Sequence, residues 1–277
     1  MTESRIPLAG VIGSPISHSK SPQLHRHWLS TYGLRGYYIP IDVAYEDLEN
    51  VLRMMPKMGF VGANVTIPYK EKVLELADQI TDRATLIGAA NTLIFRKDGR
   101  VIADNTDGFG FLENIRQNVP DWDPTVGPAA VLGAGGAARA VVAALSEVGV
   151  SEIILSNRTR VRADRLKQDF GKRVRVVDWV QAGNILEDAA LVVNTTSLGM
   201  VGKPELRVPL DGLQKGAVVT DLVYAPLKTQ LLLRAEEAGC RVVDGLGMLL
   251  HQAVPGFERW FGIRPAVDAA TRAAALR

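Results

Sequence analysis

Two charged side chains, Lys70 and Asp107, stand where apolar runs break into polar clusters, and together they form an acid/base couple able to move a proton on or off a hydroxyl. Lys70 closes the run Asn64-Val65-Thr66-Ile67-Pro68-Tyr69-Lys70, read as a strand that turns directly into a helix at Pro68. That reading puts the amine in the first helical turn, where a cation opposes the helix dipole by about 0.3–1 kcal/mol, so stability alone would not choose it. A surface lysine is the alternative reading of the same position. Asp107 lies in Asp104-Asn105-Thr106-Asp107-Gly108-Phe109, at the end of one strand and the start of a helix, and any of Asn105, Thr106 or Asp107 can cap that helix. Beside a nicotinamide the couple would supply what alcohol–ketone interconversion requires without a metal. One group handles the hydroxyl proton while the dinucleotide takes the hydride.

Other clusters complete such a site. In Ser17-His18-Ser19-Lys20-Ser21-Pro22, Ser19 and Ser21 share one side of an expected extended loop, where two hydroxyls can hold a carboxylate without a formal charge. Ser21 before Pro22 is equally a helix N-cap signature, and one residue can do both jobs. Asn91-Thr92 opens a further strand with polar groups.

Val131-Leu132-Gly133-Ala134-Gly135-Gly136-Ala137-Ala138 fits the G-x-G-x-x-G/A dinucleotide fingerprint, with Ala138 at the third small position. It follows a strand and opens a helix, so Gly133 permits the tight turn, Gly135 lets backbone N–H groups approach a pyrophosphate, and the helix N-terminus faces the charge. A Gly-rich connector of another α/β protein is the plainer alternative. About twenty residues on, an NAD-specific site carries an acid for the ribose hydroxyl. This chain has Asn157-Arg158-Thr159-Arg160 there, with Arg162 close behind, so guanidinium forks and a hydroxyl stand where a 2′-phosphate would lie and NADP is the expected cofactor. A solvated basic loop is the competing reading.

The elements that must position these groups alternate along the chain. From Pro128 onward, β-rich runs at 129–132, 152–156, 174–177, 190–193, 218–222 and 241–243 alternate with helical stretches such as 137–148 and 160–170. Six strands in βαβ rhythm predict a doubly wound parallel sheet. Before it, strands at 8–12, 37–41 and 61–65, helices near 22–32 and 46–55, and a hairpin turning at Lys97-Asp98-Gly99 predict a separate mixed α/β unit. Too few residues follow the last strand to bury a core alone, yet 248–261 and 267–276 are apolar enough to need burial. The fold expected is therefore α/β: an N-terminal mixed α/β substrate domain, 1–104, completed by 248–277, with an inserted Rossmann-type NADP domain, 105–247. Helices near 108–118 and 247–260 would connect the two across a cleft that closes on ligands.

With 277 residues, 47% apolar and 22% charged, the chain has the composition of a folded globular protein of two domains. A net charge of +2 with both signs interleaved offers no field for nucleic acid. Met1-Thr2-Glu3-Ser4-Arg5 lacks an apolar leader and no run reaches membrane-spanning length, so a soluble, cytoplasmic protein without a membrane partner is expected. Cys240 is the single cysteine and reads as core, and His18, His25, His27 and His251 include no metal-binding spacing, so no metal is expected. Monomer and homodimer both remain compatible with the sequence.

In order and spacing, Ser19-Lys20-Ser21-Pro22, Asn64 through Lys70, Gly88-Ala89-Ala90-Asn91-Thr92, Asn105-Thr106-Asp107-Gly108, Gly133 through Ala138, Asn157-Arg158-Thr159, Asn194-Thr195-Thr196, Asp221 through Pro226, and Asp244 through Leu249 with His251-Gln252 resemble the shikimate/quinate dehydrogenase family over nearly the whole chain. The resemblance implies an enzyme that reduces 3-dehydroshikimate to shikimate with NADPH, on the route to aromatic amino acids. It implies Lys70 and Asp107 as the catalytic pair, Ser19 and Ser21 on the substrate carboxylate, and Asn64, Thr66, Asn91, Tyr224 and Gln252 in the substrate pocket. It also implies Gly133, Ala134, Gly135, Gly136, Ala137, Thr195, Leu222, Gly245 and Met248 against the cofactor, with Asn157, Arg158, Thr159 and Arg162 around its 2′-phosphate and the share taken by Arg160 left open. A quinate/shikimate dehydrogenase of broader specificity and a non-catalytic NADP-sensing protein on the same scaffold are the alternatives.

Overall fold

A computed structural model of the chain describes residues 6–276, and the expectation drawn from residues 1–5 lies outside the described residues. The described residues form two compact units, one from segments 6–106 and 250–276 and the other from 107–249.

The first unit begins with β1 (Leu8–Gly13), α1 (Ser21–Thr31), β2 (Tyr37–Asp42), α2 (Leu48–Met54), β3 (Phe60–Val65), α3 (Lys72–Leu76), β4 (Gln79–Ile80), α4 (Asp82–Ile87), β5 (Thr92–Phe95) and β6 (Val101–Asp104). Its sheet runs in the order β2-β1-β3-β5-β6-β4. β1 is parallel to β2 and β3, while β5 is antiparallel to β3 and β6. The register sets Asn64 opposite Thr92 and Thr92 opposite Asp104, so the carboxyl ends of β3 and β6 and the start of β5 share one edge of the sheet. The hairpin forms at Asp98-Gly99, where Gly99 takes a left-handed φ of 87° and its N–H reaches the Arg96 carbonyl.

The second unit comprises α5 (Asp107–Asn118), β7 (Ala129–Leu132), α6 (Gly136–Glu147), β8 (Ile153–Asn157), α7 (Arg160–Phe170), β9 (Val174–Asp178), β10 (Leu191–Asn194), β11 (Val218–Asp221), α8 (Gln230–Glu237), β12 (Arg241–Val243) and most of α9 (Leu246–His251). Its six strands are all parallel in the order β12-β11-β10-β7-β8-β9, which is the Rossmann order read from the other side. Short runs such as Ala-Ala-Val-Leu and Leu-Val-Val-Asn are apolar for most of their length because both sheet faces are covered. One face packs on Phe111, Val141, Leu145 and Leu166, the other on Leu186, Leu210, Leu231 and Cys240.

The chain then returns to the first unit through α10 (Val254–Phe261) and α11 (Ala269–Leu276). Val254, Phe257 and Trp260 give α10 its buried stripe. Trp260 Nε1 donates to the Leu93 carbonyl at 3.1 Å across β3, where Gly62 leaves the room: a Cβ there would come within 1.9 Å of the indole nitrogen. Trp28 Nε1 on α1 likewise donates to the Ala266 carbonyl at 3.1 Å just before α11.

Three element expectations change. The single helix expected over 247–260 is two helices, α9 and α10, because Pro255 has no N–H for the next rung of the ladder and instead starts a new helix in its first turn. The helix expected at 46–55 opens as a 3₁₀ turn, Tyr45–Asp47, before α2. The helix expected from Pro68 starts only at Lys72. Thr66 through Tyr69 are spent on a turn closed by the Tyr69 N–H on the Thr66 carbonyl at 3.0 Å, and the residue before a proline is pushed away from helical angles. Among the described residues, no helix is long and apolar enough to cross a membrane.

Candidate active site

The polar residues at the shared edge of the first sheet form one network. Asn64 Nδ2 donates to the Asn91 carbonyl at 3.1 Å and to Thr92 Oγ1 at 3.3 Å, and its Oδ1 accepts from the Tyr38 hydroxyl at 2.7 Å. Asn91 Nδ2 donates to Gln252 Oε1 at 2.9 Å, and Asn91 Oδ1 accepts the Thr106 N–H at 2.9 Å. The Thr106 hydroxyl donates to the Gln252 carbonyl at 2.8 Å, and Asn105 Nδ2 to the Ala89 carbonyl at 2.9 Å. Asn105 and Thr106, which could have capped α5, therefore spend their side chains on this edge. Asn64, Asn91, Thr92, Asn105 and Thr106 are buried, while Ser19, Thr66, Lys70 and Gln252 are half-exposed. A buried layer of amides and hydroxyls thus holds an outer layer that a ligand can reach, and full satisfaction makes such a network rigid.

Lys70 stands two residues before α3, in the turn and outside the helix, so the dipole argument made for it from sequence does not apply. Its position is fixed by the backbone: the Lys70 carbonyl accepts the Ala90 N–H at 2.7 Å, which ties it to the strand start carrying Asn91. Asp107 is the first residue of α5, where a carboxylate suits the positive end of the helix. The strand leading to it is anchored by Asp104, buried under Arg83 and Thr81. Burial pushes the Asp104 carboxyl up, but those donors outweigh it and hold it below the usual carboxylate range.

The loop carrying the two serines is not extended as expected. A turn closed by the Ser19 N–H on the Ile16 carbonyl bends it, and Ser19 Oγ then accepts the Ser21 N–H at 3.3 Å. Ser21 is the first residue of α1 and the cap position falls to Lys20, so Ser19 supplies the acceptor that Ser21 was expected to provide. Tyr38, which braces this edge from β2, was not singled out from sequence. Its one signal is strand alternation, which buries it while Tyr37 is exposed.

In the second unit the corresponding groups lie at the carboxyl edge of the parallel sheet. Gly133 follows β7 with φ of 111°, its N–H on the Ser156 carbonyl at 2.8 Å, and a Cβ there would come within 2.5 Å of Thr195 Oγ1. Only glycine fits that turn. A Cβ at Gly135 or Gly136 would meet open space, so the backbone at the start of α6 is bare, which fits the approach of a pyrophosphate. Thr195 is held by its hydroxyl on the Leu132 carbonyl at 2.8 Å. β7 lies between β8 and β10, where the strand order reverses and α/β sheets bind nucleotides. At the end of β8, Asn157 Nδ2 donates to the Thr159 carbonyl at 2.8 Å and shapes the loop. Arg160 pairs with Asp178 at 2.6 Å and with Asp164 at 3.6 Å, whereas Arg158 and Arg162 are exposed and have no carboxylate at ion-pair distance among the described residues. Gly245 and Leu222 meet at the ends of β12 and β11, Tyr224 is exposed just beyond, and Met248 packs against the core of this unit.

One buried carboxylate ties two of these loops together. Asp221, opposite Asn194 in register, accepts Asn194 Nδ2 at 2.9 Å, the Val223 N–H at 3.0 Å and the Thr229 hydroxyl at 2.7 Å. Burial pushes its carboxyl up to about 6 against the pull of those three donors. The folded chain therefore holds this proton more tightly than the unfolded one. Its contribution to stability is complete below about pH 4 and is lost as pH rises through about 6. Buried His25, lowered to about 3 by desolvation, acts in the opposite sense, giving stability above about pH 6.5 that is lost toward 3. Comparison with Asp221→Asn cancels the histidine. Between about pH 7 and about pH 4.5, urea denaturation should show the unsubstituted chain gaining about 2 kcal/mol relative to the variant, and equal pH dependence would contradict the assignment.

The chain was compared with known proteins. Residues 11–93 match the shikimate dehydrogenase substrate binding domain, residues 123–201 the shikimate / quinate 5-dehydrogenase family, and residues 245–275 the shikimate 5'-dehydrogenase C-terminal domain. A shikimate dehydrogenase (NADP(+)) from Cereibacter sphaeroides is 73% identical over 277 residues, covering 100% of this chain and 99% of that one. A crystal structure of shikimate 5-dehydrogenase from Thermus thermophilus with NADP(H) and shikimate superposes with a TM-score of 0.86 at 36% identity, covering 98% and 99% of the two chains. A quinate dehydrogenase from Corynebacterium glutamicum with NAD superposes with a TM-score of 0.90 at 32% identity, covering 97% and 98%.

Proposed function

The chain belongs to the shikimate dehydrogenase family, and on that premise we propose that it interconverts shikimate and 3-dehydroshikimate by hydride transfer with NADP(H). The observation that carries this reading is the edge of the first sheet, where Lys70 stands with a set of neutral amides and hydroxyls at Ser19, Ser21, Thr66, Asn91 and Gln252. Such a set suits a ring bearing several hydroxyls, because each ring hydroxyl finds a donor or acceptor and no fixed charge is left unpaired.

Segments 1–104 and 248–277 form the substrate domain and 105–247 the NADP domain in this reading. Ser19 and Ser21 donate to the substrate carboxylate, and Thr66, Asn91, Gln252 and Tyr224 engage the ring, with Asn64 bracing them from beneath. Gly133 through Ala137, Thr195, Leu222, Gly245 and Met248 would hold NADP, which supplies the acceptor for the hydride when bound. Asn157 and Thr159 shape the adenosine loop, and Arg158 and Arg162 take the 2′-phosphate, since Arg160 is already neutralised by Asp178 and Asp164. Lys70 removes the hydroxyl proton as the C–H hydride departs and returns it in the reverse direction, while Asp107 accepts from the same hydroxyl and orients it.

The test is the appearance of dihydronicotinamide absorbance with shikimate or quinate, each with NADP and NAD. The highest kcat/KM is expected for shikimate with NADP. No reduction with either substrate would end the enzymatic reading, equal rates with NAD would end the cofactor assignment, and a preference for quinate would move the substrate.

A further inference from the structure

A buried stack lies behind the polar edge of the first sheet and has no part in the proposed chemistry. His25 on α1 stacks face to face on Tyr38 of β2, with ring centroids 3.7 Å apart and planes within 5°. Trp28, Phe257 and Trp260 close around them, and Tyr38 is 5% exposed and His25 not exposed at all. Neither imidazole nitrogen has a hydrogen-bond partner. The ring serves as a plate that fixes the plane of the phenol.

The phenol itself has a single proton and it goes to Asn64 Oδ1 at 2.7 Å. Ser21 lies one helical turn before His25 on the same face of α1, so the stack ties β2 to the helix that begins at Ser21. Asn64 is otherwise held through its Nδ2, and the phenol is the donor that fixes its Oδ1.

We propose that Tyr38 is a positioning residue for substrate binding: stacked on His25 of α1 and bonded through its hydroxyl to Asn64 on β3, it sets the spacing between the helix that begins at Ser21 and the amide layer beneath the ring. This role rests on the substrate assignments of the preceding subsection. The Tyr38 hydroxyl acts through Asn64 and never touches the reacting atoms, so its loss should appear in substrate binding rather than in chemistry.

The experiment is Tyr38→Phe, which keeps the stacked ring and removes one oxygen, assayed beside the unsubstituted enzyme with shikimate and NADP. The KM for shikimate should rise about tenfold, with kcat within about threefold and the KM for NADP within about twofold. A purely structural role would instead lower the melting temperature and the active fraction, reducing apparent kcat with both KM values unmoved. Asn64→Ala alone and combined with Tyr38→Phe completes a cycle, and the combined rise in KM should fall short of the product of the two single rises. An unsubstituted enzyme that does not turn over shikimate removes the function reading and this role with it. Turnover by the unsubstituted enzyme with an unchanged shikimate KM in Tyr38→Phe, a parallel rise in both KM values, or fully multiplicative effects removes this role alone.

Discussion

Replacing Lys70 with alanine should lower kcat for shikimate oxidation by about two to four decades while the dissociation constant for NADP stays within about twofold. The proton leaving the hydroxyl needs an acceptor at the moment the hydride departs, and apart from Asp104, whose carboxylate is taken up by Arg83 and Thr81, the polar edge of the first sheet otherwise presents amides and hydroxyls, which are poor proton carriers. The amine stands in a turn locked by the Ala90 N–H on the Lys70 carbonyl, with Ala90 one residue from Asn91, whose carbonyl Asn64 holds, so truncation past Cβ should leave that turn in place. Its remoteness in sequence from the Gly133 loop predicts that cofactor binding is spared. Asp107→Asn should also slow turnover, and the double variant should be little slower than Lys70→Ala, because two groups acting on one proton are not additive. Full turnover in Lys70→Ala together with collapsed NADP binding would place this lysine in the wrong half of the reaction.

Much of this architecture is legible in the chain because the second sheet is buried on both faces. Ala129–Leu132, Leu191–Asn194 and Val218–Asp221 are runs of small, aliphatic and β-branched residues, each ending at its last residue or just beyond in glycine or a polar group. The carboxyl edge of the sheet is therefore written in local sequence. The first unit is harder to read. β4 has two residues, too few for any period to register, and α4 has six. Pro68 reads as a helix start by its type, yet its carbonyl neighbours are committed to the Thr66–Tyr69 turn, which shifts α3 to Lys72 and takes Lys70 out of it.

The candidate site shows the same division. Gly133 is legible because a tight turn with positive φ admits one residue type, and Ser19 and Ser21 because hydroxyls recur beside a proline. The Tyr38–Asn64 and Asn91–Gln252 bonds join residues 26 and 161 positions apart, and no local pattern encodes them. Likewise Arg158, Arg160 and Arg162 look alike in sequence. Asp178, at the far end of the next strand, is what separates Arg160 from the other two.

That separation makes the sharpest prediction about cofactor choice. With Arg160 bound to Asp178 and Asp164, the guanidinium groups of Arg158 and Arg162 are the ones left to meet a dianionic 2′-phosphate. A charge-assisted bond to phosphate contributes about 1.5–3 kcal/mol, and the exposure of both arginines argues for the lower end. Alanine at both positions should therefore raise the KM for NADP by about two decades while moving the KM for NAD by less than about threefold, since NAD carries a hydroxyl where the phosphate would be. The kcat with saturating NADP should hold, because neither arginine lies near the Lys70 turn in sequence or on the strands that carry it. Raising salt should weaken NADP binding in the unsubstituted enzyme and much less in the double variant, as expected when exposed charges supply the attraction. The Arg160→Ala chain is the internal comparison. Its guanidinium bridges α7 to the end of β9, so its loss should lower thermal stability slightly and leave the NADP-to-NAD ratio in place. If Arg160→Ala instead erased the preference while the double variant kept it, the carboxylates at Asp164 and Asp178 would be partners that the cofactor displaces, and the phosphate would sit over the start of α7.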